Sequence, residues 1–176
     1  MKTILIFVTS LDGKITKWGN PDIKSWSSRD DQNYFDTIWN DTRIIIMGSG
    51  TYDPDPVEPE IKHLYIVLTR HPEKYENKEI QDQLEFTNEK PKELISRLGK
   101  LGEEIILVVG GPHIATLYLK EQIIDELWLT LEPKIFGIGG NFAIDEKFDI
   151  SLILQSSEKI NYQGTLINKY KVIKTS

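Results

Sequence analysis

Two stretches of this sequence place bare backbone where an anion would sit. Val108–His113 reads VVGGPH: an apolar run stops at Gly110 and Gly111, and Pro112 opens an apolar helical pattern. Free N–H groups and the dipole at a helix start attract phosphate, and proline at the first helical position gives up no needed hydrogen bond. A plain turn requiring φ > 0 accounts for two glycines equally well. Met47–Tyr52 reads MGSGTY, also after an apolar run. Gly48 permits close approach, Gly50 adds freedom, and Ser49 and Thr51 supply hydroxyls. The alternative there is a strand-to-helix loop with Thr51 as a cap. Neither stretch has the GxGxxG spacing or a P-loop lysine. Thr69-Arg70 closes a third apolar run, where an arginine either forks onto a phosphate or stands in solvent, with His71 beside it as a second donor. The titratable candidates are Asp12 and Lys14 in SLDGK, and Asp31. SLDGK is either a simple turn or a loop that closes over a substrate with Asp12 or Lys14 near the reacting group. Asp31 either hydrogen-bonds a heterocycle or complements a helix dipole.

The elements that must carry these groups are legible as hydrophobic patterns. Ile4–Val8, Arg43–Met47, His63–Thr69 and Glu104–Val109 are short, nearly continuous apolar runs of the kind that form strands buried on both faces. Ser28–Asp41 places Tyr34, Phe35, Ile38 and Trp39 at helical spacing, with Asp30 and Asp31 in the first turn. Pro91–Leu101 and Pro112–Glu121 predict two more helices. Asp125–Leu131 alternates, as do segments between Ile150 and Ile173, with a turn near Asn161–Gly164 and another at Gly137–Phe142. Alternating strands and helices followed by strands alone predict an α/β fold: an open, mostly parallel sheet flanked by helices, with a C-terminal antiparallel hairpin. Ligands of such sheets bind beyond the carboxyl ends of the strands. SLDG, GSGTY, TRH and GGPH all fall there. Trp18, Trp26 and Trp39 either line a pocket or fill the core.

The 176 residues predict one domain spanning 1–176. A net charge of −6 argues against a nucleic-acid partner, which needs a basic face. With no cysteine and three scattered histidines, no metal site is expected, and the chain suits a reducing cytoplasm. The N-terminal MKTILIFVTS reads as a strand and not as a signal peptide, and no run approaches a membrane span.

SLDGKIT (10–16), WSS (26–28), MGSGTY (47–52), VLTR (67–70), VVGGPHIA (108–115) and DELWLTLEPKIFGIGG (125–140) occur in this order over nearly the whole chain. As an ordered set they resemble the dihydrofolate reductase superfamily, and within it the C-terminal reductase domain of the bifunctional riboflavin-biosynthesis deaminase-reductase. The resemblance implies an NADPH-dependent, cytoplasmic oxidoreductase acting on a pyrimidine- or pterin-like heterocycle. It implies that Gly48, Ser49, Gly50 and Thr51, with Gly110, Gly111, Pro112, His113, Ile114 and Ala115, hold the dinucleotide phosphates. Thr69 and Arg70 would meet the 2′-phosphate. DQNYF resembles the segment in which dihydrofolate reductases grip the pterin with an acid, and Asp31 is its counterpart.

The first-choice activity is that of a 5-amino-6-(5-phosphoribosylamino)uracil reductase. The alternatives are a dihydrofolate reductase-type activity and a non-catalytic nucleotide-binding module. Two departures bear on this choice. The riboflavin branch carries an acid where Val109 stands, and TYDPDPVEPEIKH lacks the arginine of that branch, leaving Arg29 as the nearby candidate for a substrate phosphate. Reductases of this branch are commonly dimers, and the alternating DELWLTL strand is the expected homodimer surface.

Overall fold

Strands that are apolar at consecutive positions must be covered on both faces. The computed structural model, which describes residues 1–144 and 146–174, covers both with helices. The chain runs β1 (Lys2–Ser10), α1 (Arg29–Asp41), β2 (Ile44–Gly48), α2 (Ser49–Tyr52), β3 (Leu64–Leu68), β4 (Leu84–Thr87), α3 (Pro91–Leu98), β5 (Ile105–Val108), α4 (Pro112–Lys120), β6 (Glu126–Glu132), β7 (Leu152–Lys159) and β8 (Leu166–Val172). The sheet order is β4-β3-β2-β5-β1-β6-β8-β7. Strands β1 to β6 are parallel, and β8 and β7 add antiparallel at one side.

Successive strand residues point to opposite faces, so each run feeds two cores. Leu5, Ile46, Ile66 and Val108 pack with Leu94, Leu98, Ala115 and Tyr118 from α3 and α4. Ile4, Ile45, Met47 and Val67 pack on the other face, against Tyr34, Phe35, Ile38 and Trp39 of α1. Leu94 and Leu98 are fully buried, each worth about 1.5–3 kcal/mol. Ser28 caps α1, its hydroxyl accepting the Asp31 N–H at 3.2 Å, and Asp30 and Asp31 fall in the first turn.

Several expectations need correction. Strand β4 is an additional parallel edge strand, too short and too polar in its surroundings to stand out. The helix from Pro91 ends at Leu98 and tightens into a single 3-10 turn, Gly99–Leu101, closed by Gly102 at φ 80°. Thr51 lies within α2 and does not cap it; the N-cap is Gly48. DELWLTL is not a free surface. Its strand β6 is interior to the sheet, paired to β1 and β8, and the open edge on that side is β7, exposed at all eight positions.

Candidate active site

The turns after β2 and β5 are tied to each other. Val109 N–H donates to the Ile46 carbonyl and Gly48 N–H to the Gly110 carbonyl, both at 3.0 Å. The Gly110–Gly111 peptide is cis, and Gly110 has φ 122°, a conformation side-chain-bearing residues rarely adopt. A Cβ on Gly48 would lie 2.9 Å from Ile114 Cγ1, and one on Gly111 would lie 3.3 Å from Thr51 Oγ1. Helices α2 and α4 therefore start side by side. Neither has a side-chain cap or an acid in its first turn. The His113 and Ile114 N–H groups precede the intrahelical ladder, which opens with Ala115 N–H donating to the Gly111 carbonyl at 3.0 Å. Ala115 itself is buried in the core, Ile114 packs on Gly48, and His113 is exposed. This uncapped, acid-free pair of helix starts fits a pyrophosphate. Gly50 opens onto empty space.

Along the same rim, Thr69 N–H extends the β3–β4 ladder by donating to the Thr87 carbonyl at 2.9 Å. The Thr69 hydroxyl accepts the His71 N–H at 3.2 Å, and His71 pairs with Glu73 at 3.1 Å. Arg70 is exposed and forms no ion pair among the described residues. Its guanidinium is available to a dianion.

Across the rim stands Asp31, 5% exposed. Its carboxyl faces Thr130, two residues before the end of β6, and Ser27. Burial pushes its pKa up from 3.8 to about 6; hydrogen bonds from Thr130 and Ser27 oppose that, and the nearby Glu132 charge adds to it. Glu132 is 1% exposed and accepts the Ser28 N–H at 2.7 Å and the Thr165 hydroxyl at 2.9 Å. Sequence reasoning did not single out Glu132. It reads as the polar end of an alternating strand, and its partners are 104 and 33 residues away.

Asp12 and Lys14 sit on the loop over this rim, with their charged groups engaged. Asp12 accepts from the Ser10 hydroxyl at 2.6 Å, Gly137 N–H at 2.8 Å and Phe136 N–H at 3.1 Å. The Ser10 hydroxyl is the main reason its pKa falls to about 2. Lys14 Nζ donates to Asn141 Oδ1 at 2.8 Å. The backbone joins in: Leu11 N–H to Lys134 O, Ile15 N–H to Gly140 O, and Trp18 N–H to Ile138 O. A Cβ on Gly139 would lie 2.0 Å from the Thr16 carbonyl oxygen. The loop after β1 is thus stitched to residues 134–141. Trp26, 2% exposed, packs edge-on to Phe136 at 5.1 Å, whereas Trp18 is 70% exposed. A groove of about 720 Å³ at the opposite end of the sheet is lined by Met1, Lys2, Asp125 and Glu126. Two ion pairs, Lys2–Glu126 and Lys174–Asp125, occupy its charged lining, and none of the rim residues reaches it.

The molecule is similar to known proteins over its full length. YwjB of Bacillus subtilis (strain 168), an uncharacterized protein, is 29% identical over 144 residues, covering 78% of this chain and 80% of YwjB. The Thermotoga maritima diaminohydroxyphosphoribosylaminopyrimidine deaminase/5-amino-6-(5-phosphoribosylamino)uracil reductase superposes with a TM-score of 0.73 at 15% identity, over 97% of this chain and 56% of that one. Enterococcus faecalis dihydrofolate reductase, complexed with NADP(H) and RAB-propyl, superposes with a TM-score of 0.66 at 18% identity, over 98% and 97%. At these identities the two structures establish the fold. The profile of the RibD C-terminal domain matches residues 1–166. With its parallel sheet, antiparallel C-terminal pair and glycine-turned rim, the chain has a dihydrofolate reductase-like fold and belongs to the RibD C-terminal domain family.

Proposed function

We propose that this protein reduces a pyrimidine- or pterin-like heterocycle with NADPH. The first-choice substrate is the riboflavin-pathway ribosylaminopyrimidine phosphate and the second is dihydrofolate. The reading is carried by one observation: a buried carboxyl, Asp31, that keeps its proton up to a pH of about 6 lies across the rim from two uncapped glycine turns. Gly48, Ser49, Gly50 and Thr51, with Gly110, Gly111, Pro112, His113 and Ile114, receive the phosphates through backbone N–H groups and hydroxyls. Ala115 contributes by packing the helix start. Thr69 and Arg70 receive the 2′-phosphate. When bound, the reduced nicotinamide supplies the hydride. Asp31 and Thr130 orient the ring, and Trp26 and Phe136 help exclude water. Reduction of a C=N bond adds the hydride to carbon and a proton to nitrogen. Asp31, or a water it orients, delivers that proton and is reprotonated from solvent. Asp12 and Lys14 act by holding the loop closed.

Loss of NADPH absorbance on adding either substrate tests this. Turnover of one ranks the two. Saturable NADPH binding without oxidation of either one, or of a panel of related heterocycles, favours a nucleotide-binding module, the reading to which Val109 and the arginine-free loop point. No helix among the described residues is long and apolar enough to cross a membrane, and we place the enzyme in the cytoplasm. We also assign it a homodimer, paired through β7, where Leu152, Ile153 and Leu154 are exposed on an unpaired edge.

A further inference from the structure

Glu132 joins two parts of the molecule that the reaction scheme leaves separate. Its Oε1 accepts the N–H of Ser28, the α1 N-cap, at 2.7 Å, and the Ser28 hydroxyl in turn accepts the Asp31 N–H at 3.2 Å. Its Oε2 accepts the Thr165 hydroxyl at 2.9 Å. Thr165, fully buried, begins the return from the β7–β8 turn. That turn is locked by Asn161: its Nδ2 donates to Thr165 Oγ1 at 2.8 Å, and its Oδ1 accepts Gly164 N–H at 3.1 Å and Thr165 N–H at 3.0 Å. An unbroken chain of hydrogen bonds thus runs from the hairpin turn to the first turn of α1.

We propose that Glu132 is a positioning residue that holds the Asp31 carboxyl against Thr130 by clamping the α1 N-cap to the β7–β8 turn. The inference rests on the proposed reading only in taking Asp31 as the group that meets substrate. The clamp needs a residue that accepts from an N–H and a hydroxyl at once, which a carboxylate does. It also places a second carboxylate near Asp31, which resists a second buried negative charge. The other groups bearing on Asp31 are Thr130, Ser27 and Tyr34, and Tyr34 lies near Glu158. Of the cations in this neighbourhood, Lys134 donates to the Trp26 carbonyl, next to Ser27, and Lys169 stands over the Trp128 ring at 4.0 Å and the Tyr34 ring at 5.9 Å.

The test needs neither cofactor nor substrate, so it stands if no reductase activity is found. The Asp31 carboxyl carbon is titrated by NMR, with Asp31→Asn identifying the signal, and amide exchange is followed in the same samples. Glu132→Gln keeps the geometry, because its Oε1 still accepts from Ser28 and its Nε2 donates to Thr165. It should lower the Asp31 midpoint by roughly half to one pH unit with Ser28 exchange unchanged. Glu132→Leu should speed Ser28 and Asp31 amide exchange at least about tenfold while Ile45 and Leu107 stay protected. Gln163→Ala, on the exposed turn, should change neither. An Asp31 midpoint unmoved by Glu132→Gln shows that Glu132 does not stand close enough to bear on the Asp31 carboxyl and overturns the inference, even if Glu132→Leu fails to fold. Unchanged Ser28 exchange in a folded Glu132→Leu also overturns it.

Discussion

Replacing Asp31 with asparagine should make the protein more stable at the pH where the wild type works, while removing its turnover. The folded-state pKa of Asp31, about 6, exceeds its ordinary 3.8. The folded state therefore holds the proton more tightly than the unfolded chain. Stability falls as pH rises from about 4 to about 6 and stays lowered above that. At about 1.4 kcal/mol for each pH unit, the full loss is about 3 kcal/mol. Asparagine has no charge to bury, but its hydrogen bonds from Thr130 and Ser27 are weaker by about 1 kcal/mol. The expected net effect is a gain of about 2 kcal/mol at pH 8 and a loss of about 1 kcal/mol at pH 4, the gain amounting to about 4–8 °C in Tm at the higher pH. Urea unfolding of both proteins from pH 4 to pH 8 gives the difference directly. Asp12, whose lowered pKa acts in the opposite sense and only below about pH 4, cancels in that difference. A stability difference independent of pH would refute the argument that burial, opposed by Thr130, governs this carboxyl.

Further outcomes follow from the rim and its loops. Arg70→Ala should weaken NADPH binding by about 1.5–3 kcal/mol and leave NADH nearly unchanged, as read by calorimetric titration; equal weakening of both removes the 2′-phosphate assignment. Gly139→Ala puts a Cβ against the Thr16 carbonyl and should cost about 1–3 kcal/mol in urea unfolding, with early proteolytic cleavage in residues 11–20. Unaltered cleavage would show that the two loops are not held by this approach. Light scattering should give a dimer, and Ile153→Asp on the β7 edge should return the mass to 20.3 kDa; a wild-type mass already at that value contradicts the dimer.

The fold was readable from sequence where a run of apolar residues has only one use. Ile4–Val8 and Ile44–Met47 are too short for helices and too apolar for loops, and both are central strands. Strand β4 was not readable, because Leu84 and Phe86 are its two buried residues and polar segments flank them. The antiparallel pair was readable from its alternation and the Asn161–Gly164 turn, but β7 lacks a buried face and its bounds were not. The glycine turns were visible as residue types, but their contact, with Thr51 against Gly111, depends on two strands that β3 and β4 separate in the chain. Asp31 was visible as a helix-start acid; its burial is not a local property, since Thr130 and Glu132 arrive from β6. Asp12 looked equally able to do chemistry. Its donors at Phe136 and Gly137 come from 124 and 125 residues away, and they give it a structural task.

The most direct measurement is calorimetric titration of the wild-type protein with NADPH and with NADH. Saturable NADPH binding at least about tenfold tighter than NADH, corresponding to about 1.4 kcal/mol, is the result expected of a rim built from Gly48–Thr51, Gly110–Ile114 and Arg70. No heat with either dinucleotide up to millimolar concentration would contradict it.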